Sequence, residues 1–367
     1  KGKVDVAIDC HKKALRINPD YAEAHWNQSL AYLTKADFQN GWLAYEWRWK
    51  ATDEIGKYLS TSKPIWRPSK GQRVLLWAEQ GVGDEVMFAS IIPDLHALCS
   101  KLIVQIDERL IPLFRRSFSN DIDFYPRADV VSETKYDAHI SMGSVPQHLR
   151  QNLESFKPVS QGWLSACEVK TISLREKLLA DGSGTLIGIS WHSTAPRSGA
   201  QNKMIPLSEL ATALHLPQVR LVNLQYGDVD NEIESLREKT GIDVIQLSEI
   251  DNKDDIDGLA ALIMACDKVI SISNLTIHLA GALGKESQVL LAPSSDWRWG
   301  KRQSRSYWYD SVCLLRQTKI GDWDDVLKQS AKKRLALTDY SDLQKHLVKR
   351  LALTDFFVEV IAFVVLH

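Results

Sequence analysis

Residues 73–89 read RVLLWAEQGVGDEVMFA: a short apolar run, a turn with two glycines, then residues at helical spacing. The run Arg73–Ala78 has the length and bulk of a buried strand. Gly81 and Gly83 permit a tight turn and a close approach of a ligand to the backbone. A helix expected from about Glu85 to Ser100 then points its first N–H groups at the same place, which favours an anion or an oxygen-rich group. Asp84 stands at the helix start, where an N-cap carboxylate is an ordinary role. The turn is not GxGxxG and has no Walker lysine, so NAD and P-loop readings lose support.

Downstream the alternation continues. Leu102–Ile106 reads as a strand, Glu108–Phe118 as a helix and Ala138–Ile140 as a strand. A helical, charged stretch from Ser160 to Gly184 is placed to join two domains. From Thr185 the pattern restarts, with strands at LIGISW, VRLVNLQ, IDVIQL, KVISIS and SQVLLA. Helices are expected between them at Leu207–Leu214, Asn231–Thr240, Asp257–Ala265 and Leu275–Leu283. This order predicts two successive doubly wound α/β modules with parallel sheets. Ligands in such folds lie beyond the carboxyl ends of the strands, so the natural site is the cleft between the modules.

Three further blocks could carry chemistry. In SISNLTIHLAGALGK (271–285), Asn274 and Thr276 sit at a turn, His278 falls in the first helical turn, and Gly281 and Gly284 keep the helix close to its neighbours. That helix start can receive a diphosphate, or His278 can be a satisfied structural side chain. In ISWHSTAPRSGAQNKM (189–204), a strand carrying Trp191 leads past Ser193 into a polar loop. Arg197 and Lys203 are there to clamp phosphate oxygens, or the loop is simply solvated. Gln225, at the end of VNLQ, is placed to bind base or ribose or to tie down a loop. SSDWRWGKRQSRSYWYDSVCLLRQ (294–317) interleaves Trp297, Trp299, Tyr307, Trp308 and Tyr309 with Arg298, Lys301, Arg302 and Arg305. This pattern suits stacking on a base or sugar, or an amphipathic interdomain patch.

Upstream of residue 73 the pattern is helical. Ala7, Ala14 and Leu15 share one helical face and Pro19 ends that helix. Helices are expected over Ala22–Thr34 and Phe38–Trp49, with small residues at Ala7, Ala14, Ala24 and Ala31 for close helix pairing. The segment resembles tetratricopeptide (TPR) repeats. Ala7, Ala14 and Pro19 match that consensus, as do Ala24 and Tyr32 in the next unit. Gln28 and Ser29 depart from its Leu-Gly pair, and Gly41 replaces its Ala; such departures suit a repeat that caps the array. The chain opens with Lys1 in mid-repeat, which predicts a fragment of a longer protein with upstream repeats. Residues 51–71 lack periodicity and read as a linker that packs through Trp66. In the tail, KRLALTD occurs at Lys333–Asp339 and again at Lys349–Asp355 without a functional reading.

Bulk properties narrow the class. The formal net charge is −1, from 45 basic and 46 acidic residues, which argues against bulk capture of nucleic acid or an anionic membrane. The apolar end Phe356–His367 is too short to span a bilayer and carries Glu359, so no stable membrane insertion is expected. Cys10, Cys99, Cys167, Cys266 and Cys313 are scattered and odd in number, which reads as free thiols in a reducing, cytoplasmic compartment. HExxH, paired CxxC and GxSxG are absent, so neither metal-ligand spacing nor a serine-hydrolase elbow is expected.

Seven motifs in order, YEWRW, EQGVGDEVMF, GISWHS, LQYGD, ALIMACDKVISISNLTIHLAGALGK, DWRWG and WYDSVCLLRQ, resemble bacterial TPR-containing proteins. The C-terminal half of those proteins is similar to heptosyltransferase-like glycosyltransferases. The resemblance runs from about Gly2 to Trp323. It implies a GT-B fold, a pair of Rossmann-type domains preceded by an all-α TPR segment. It also implies a metal-independent, inverting transfer with no cofactor beyond the nucleotide-sugar co-substrate. The matching base for the acceptor hydroxyl is Asp84, with Glu79, Gln80, Gly81 and Gly83 as the acceptor-side loop. Donor binding falls to Trp191, Ser193, Lys203, Gln225, Asn274, Thr276, His278 and Gly281. Ser273 and Asn274 stand where relatives often carry an acid.

The expected division is a TPR segment (1–52), a linker (53–71), an acceptor-side domain (72–165), a nucleotide-sugar domain (166–330) and a tail (331–367). The TPR groove would recruit a protein acceptor. An inactive scaffold and a GT-B nucleotide-sugar epimerase stand as alternatives.

Overall fold

In the computed structural model, which describes residues 4–51, 58–156, 161–193, 203–293 and 296–334, four helices precede two α/β lobes. The helices are α1 (Val4–Ile17), α2 (Ala22–Thr34), α3 (Phe38–Tyr45) and α4 (Arg48–Ala51). The first lobe holds β1 (Gln72–Trp77), α5 (Val82–Phe88), α6 (Ile92–His96), β2 (Cys99–Ile106), α7 (Ile111–Ser117), β3 (Asp123–Pro126), β4 (Ala138–Ser141) and α8 (Pro146–Leu149). After α9 (Glu168–Leu178) the second lobe begins with β5 (Thr185–Ser190), α10 (Leu207–Leu214), β6 (Val219–Asn223), α11 (Asp230–Thr240) and β7 (Val244–Ile245). It continues through α12 (Ile256–Ala265), β8 (Lys268–Ile272), α13 (Leu275–Ala282), β9 (Ser287–Leu291), β10 (Val312–Arg316) and α14 (Asp324–Arg334).

Both sheets are parallel among the described residues. The first has the order β3-β2-β1-β4 and the second β10-β9-β8-β5-β6-β7. Strand order therefore reverses between β1 and β4 in one lobe and between β5 and β8 in the other. Each reversal opens a crevice at the carboxyl end of its sheet. Most strand positions are buried on both faces, so the runs are continuously apolar rather than alternating.

The helical segment is not set apart from the lobes. Leu33, Phe38, Trp42 and Tyr45 belong to one apolar cluster that continues through Val74 and Phe88 to Ile277, Trp297 and Trp308. Gly41 makes the tight pairing of α2 and α3 possible: a Cβ there would lie 2.6 Å from Leu33 Cδ2 and 3.2 Å from the Leu33 backbone N. Trp66 is fully buried. Its N–H donates to the His139 carbonyl (2.8 Å) and the His139 N–H to the Pro64 carbonyl (3.1 Å), so the segment runs along β4 and covers that sheet edge.

Several element boundaries differ from expectation. The third helix stops at Tyr45, not Trp49: the Trp47 N–H bonds to the Ala44 carbonyl (3.2 Å), a tighter turn that carries Arg48 into the interior. The helix expected over 85–100 is broken by a 3-10 turn, Ala89–Ile91, into α5 and α6, with Pro93 in the first turn of α6, and β2 already begins at Cys99. Of the helical stretch expected over 160–184, α9 occupies only 168–178. β3 went unrecognised because its run DFYP ends in proline, which an edge strand tolerates. α14 crosses the boundary expected at residue 330. Arg197, the second KRLALTD and the apolar end lie outside the described residues, as do most of the first KRLALTD and residues 52–57 of the linker.

Candidate active site

Asp84 does not cap its helix. Gly81 holds the N-cap position with extended backbone, and Asp84 lies in the first turn of α5. Its carboxylate reaches across the cleft to the second lobe, where Arg298 Nε donates to Oδ1 at 2.6 Å and Arg298 Nη2 closes on the same oxygen. Arg298 sits in a 3-10 turn, Trp297–Trp299, after β9. Its Nη1 donates to Asp296 Oδ1 at 2.7 Å, and its guanidinium lies 4.6 Å over the Trp297 ring. One buried guanidinium thus bridges a carboxylate from each lobe. Burial alone would raise the Asp296 pKa, but the charges of Arg298 and Lys203 more than offset it and hold that carboxyl below its usual value.

The start of α13 meets the start of α5. A Cβ on Gly83 would lie 3.2 Å from His278 Cδ2 and 3.8 Å from Leu275 Cα, so glycine is what lets the two helix tips touch. Asn274 is extended at the N-cap of α13 and gives no side-chain cap to its N–H groups. His278 is buried, shares a 2.7 Å hydrogen bond between Nδ1 and the Tyr309 hydroxyl, and stacks on Trp299 at 5.2 Å. Burial pushes its pKa down to about 4, so the ring is neutral at pH 7 and supplies hydrogen bonding rather than charge.

Beneath the tips, the second crevice is stitched shut by polar side chains. Gln225 Oε1 accepts from Ser190 Oγ (2.9 Å) and from the backbone N–H of Trp191 (2.9 Å) and His192 (3.0 Å). Asn274 Nδ2 donates to Ser190 Oγ at 2.7 Å, and Thr276 Oγ1 to the Leu224 carbonyl at 3.3 Å. The structure therefore brings together Asp84, Gly83, His278 and Lys203, whose charge acts on Asp296 and His278. Gln225, Asn274 and Thr276 hold strand ends in register below them. Ser193 is half-buried beside a loop outside the described residues.

Two expected donor contacts lie elsewhere. Trp191 turns into the second lobe's own apolar cluster, with Nε1 donating to Glu232 Oε2 at 2.9 Å, because its strand alternation points that side chain inward. Gly281 meets the Tyr309 ring, where a Cβ would come within 2.5 Å. In the acceptor-side loop, Glu79 and Gln80 are held by Arg48 and Tyr45 (3.1 and 3.0 Å) instead of facing an open cleft. Of the two readings of the aromatic block, the interdomain patch fits. Trp297 packs edge-on to Trp42 and Tyr45, Trp308 packs on Phe88 and Phe156, and both indoles are buried, leaving no face for a base.

Sequence reasoning passed over Asp296 and Arg48, and it gave Arg298 a stacking role rather than its pairing with Asp84. Arg298 lay among five basic residues of one block; its Asp two positions earlier and its flanking tryptophans were the usable signal. Along the open β7 edge runs a groove of about 1100 Å³ whose lining includes Asn223, Gln225, Asp230, Gln246 and Asn252. Asn252 Oδ1 is buried there without a hydrogen-bond partner among the described residues. Among the described residues no set of three or more His, Cys, Asp or Glu gathers as a metal-ion site, and no helix is long and apolar enough to cross a membrane. The five cysteines are unpaired.

No family model matches the chain. It is 29% identical over 368 residues to Protein FlbA of Caulobacter vibrioides, a match covering 93% of this chain and 59% of that protein. The chain thus spans well under two thirds of this curated relative. Among solved structures, it is similar to a glycosyl transferase family 9 protein from Veillonella parvula (13% identity, 75% of this chain and 92% of that one, TM-score 0.49). It is also similar to the E. coli ADP-heptose lps heptosyltransferase II (13% identity, 70% and 99%, TM-score 0.49) and to the E. coli heptosyltransferase WaaC with ADP (15%, 71% and 99%, TM-score 0.46). At these scores the likeness is one of outline and carries no functional weight.

Proposed function

We propose that the chain is a glycosyltransferase that moves a sugar from a nucleotide-sugar donor to an acceptor hydroxyl. The observation that carries this reading is the meeting, between the two lobes, of the Asp84 carboxylate with Arg298 beside Lys203 and the uncapped start of α13. Sugar transfer needs a base for the acceptor hydroxyl and positive charge for the departing nucleoside diphosphate. In this reading Asp84 takes the acceptor proton as the acceptor oxygen attacks the anomeric carbon. The diphosphate leaves from the opposite face, so the outcome is inversion. Arg298, Lys203 and the α13 N–H groups meet the leaving charge without calling on a divalent ion. Arg298 holds Asp84 in the closed arrangement; an arriving diphosphate competes for the guanidinium and frees the carboxylate. The nucleoside end lies in the groove beside Gln225 and Asn252. The helical segment, as the end of a TPR array in a longer protein, recruits a protein acceptor.

A thermal-shift panel of ADP, GDP, UDP, CDP and dTDP tests the donor half: one base raises Tm by several degrees. Asp84→Asn keeps that shift and loses transfer by about 100-fold or more, the scale of a positioned base. Arg298→Ala loses the shift. The closed cross-lobe pair and the buried His278 favour a second reading, a binding protein that keeps the fold without turnover. A ligand-dependent Tm rise without any release of nucleoside diphosphate from the matching nucleotide sugar would select it.

A further inference from the structure

The crevice of the first lobe, at the carboxyl ends of β1 and β4, is where a ligand would sit in a fold of this order. Here it is filled from within the chain. Arg48 is fully buried, and its Nη2 donates to Glu79 Oε1 (3.1 Å) after β1 and to Ser141 Oγ (2.9 Å) and Ser144 Oγ (2.7 Å) at the end of β4. Its Nη1 donates to Glu46 (2.6 Å). Glu79 in turn accepts from the Gly143 N–H at 3.1 Å. One helical turn earlier, the Tyr45 hydroxyl donates to Gln80 Oε1 at 3.0 Å, and Arg127 holds the Gln80 carbonyl from the other side (2.7 Å). Glu79 and Gln80 lead directly into Gly81 and Asp84. The same short stretch supports the opposite partner: the rings of Tyr45 and Trp42 pack edge-on to Trp297 at 5.8 and 5.4 Å, and Trp297 carries the Arg298 guanidinium on its face.

We infer that Tyr45 and Arg48 are positioning residues for the interlobe site, so that α3 and α4 belong to the catalytic unit rather than to a detachable docking module. The inference deepens the transferase reading and rests on it for its kinetic half. Tyr45 contacts both sides of the cross-lobe pair, and Arg48 plugs the crevice from which the Asp84 turn springs. A displacement of either shifts Asp84 relative to Arg298 while leaving the groove beside Gln225 untouched. Misplacement of a base by a fraction of an ångström to an ångström reduces turnover without changing how the donor binds.

The test uses the full chain. Tyr45→Phe removes only the hydroxyl and keeps the ring packing. Arg48→Met/Glu79→Gln removes the two fully buried charges together; Glu46, which loses its arginine, is partly exposed and keeps the Ser144 hydroxyl, so the fold survives. Release of nucleoside diphosphate from ADP-, GDP- and UDP-sugars, with water as acceptor, gives kcat and KM. Tyr45→Phe is expected to lower kcat about tenfold with the donor KM within about twofold, and the double variant to lower kcat further. Hydrogen exchange at the amides of residues 81–86 is expected to quicken in both variants, while that of β5 and β8 stays as in the parent. Unchanged kcat, or unchanged exchange at 81–86, overturns the inference. A parent chain that turns over none of the sugars defeats the transferase reading, and the exchange measurement then still decides whether Tyr45 and Arg48 hold the turn.

Discussion

His278 and Glu85 lie one on each side of the contact between the helix tips, and each is buried at a cost that depends on pH. His278 titrates near 4 in the folded chain against an ordinary 6.5, through burial. A lowered histidine contributes stability that is complete above pH 6.5 and is lost as pH falls through 4, on the order of 3 kcal/mol in all. His278→Gln should therefore abolish that slope; denaturant titrations of parent and variant at pH 7 and pH 4 measure it, and equal losses in both would contradict the burial of a neutral ring. Glu85 works in the opposite sense. Burial raises it from 4.5 to about 7 despite the Arg127 charge, so its contribution is complete below pH 4.5 and is lost as pH rises through 7. Glu85→Gln is expected to be neutral or stabilising at pH 7.5 and without gain at pH 4.5. Gly281 is the third residue-scale case. Alanine is the better helix former, yet a Cβ 2.5 Å from the Tyr309 ring has no room, so Gly281→Ala should cost about 1–3 kcal/mol by overpacking, read as a lower Tm.

At the scale of elements, the joints between helices are set by single residues. Ala36, between α2 and α3, is the one non-glycine residue with positive φ (63°) among those described. Its N–H bonds to the Leu33 carbonyl at 3.0 Å, closing the turn that lets Gly41 press against Leu33. Left-handed backbone costs alanine about 1–2 kcal/mol relative to the right-handed form, a strain that glycine largely avoids. Ala36→Gly is therefore expected to hold or raise Tm, against the usual loss for glycine in a helix; a clear drop in calorimetry would show that the turn does not need that backbone form. The two elements that meet at the candidate site, α5 and α13, are short, and their N-termini touch because Gly83 has no side chain. The expected helix over 85–100 obscured this, since a long helix would have had no reason to stop at Phe88. The strand at Leu102–Ile106 was visible, but not that β2 already starts at Cys99.

For the whole molecule, the continuous apolar cluster from α2 through both lobes is expected to couple unfolding of the helices to that of the lobes. A chain beginning at residue 58 would strip Trp42 and Tyr45 from Trp297 and take Arg48 away from Glu79. Such a chain is expected to melt well below the intact one or to aggregate. A truncated chain with an undiminished melting temperature would show instead that the helices are an appendage. The closed cleft belongs to this scale too. Asp84 and Arg298 lie on different lobes, and their contact reports how the lobes meet.

Much of the fold was legible in the chain itself. Short apolar runs alternating with helical periods predicted two parallel α/β lobes, and Gly83, Gly281 and Gly284 marked close approaches, because strand burial and backbone geometry impose patterns over a few residues. The helices of 4–45 were readable for the same reason. The partners within the site were not. Arg48 finds Glu79 and Ser144, Tyr45 finds Gln80 and Trp297, and Asp84 finds an arginine 214 positions away, since a buried charge takes whichever counter-charge the packed lobes present, and no local spacing records that choice.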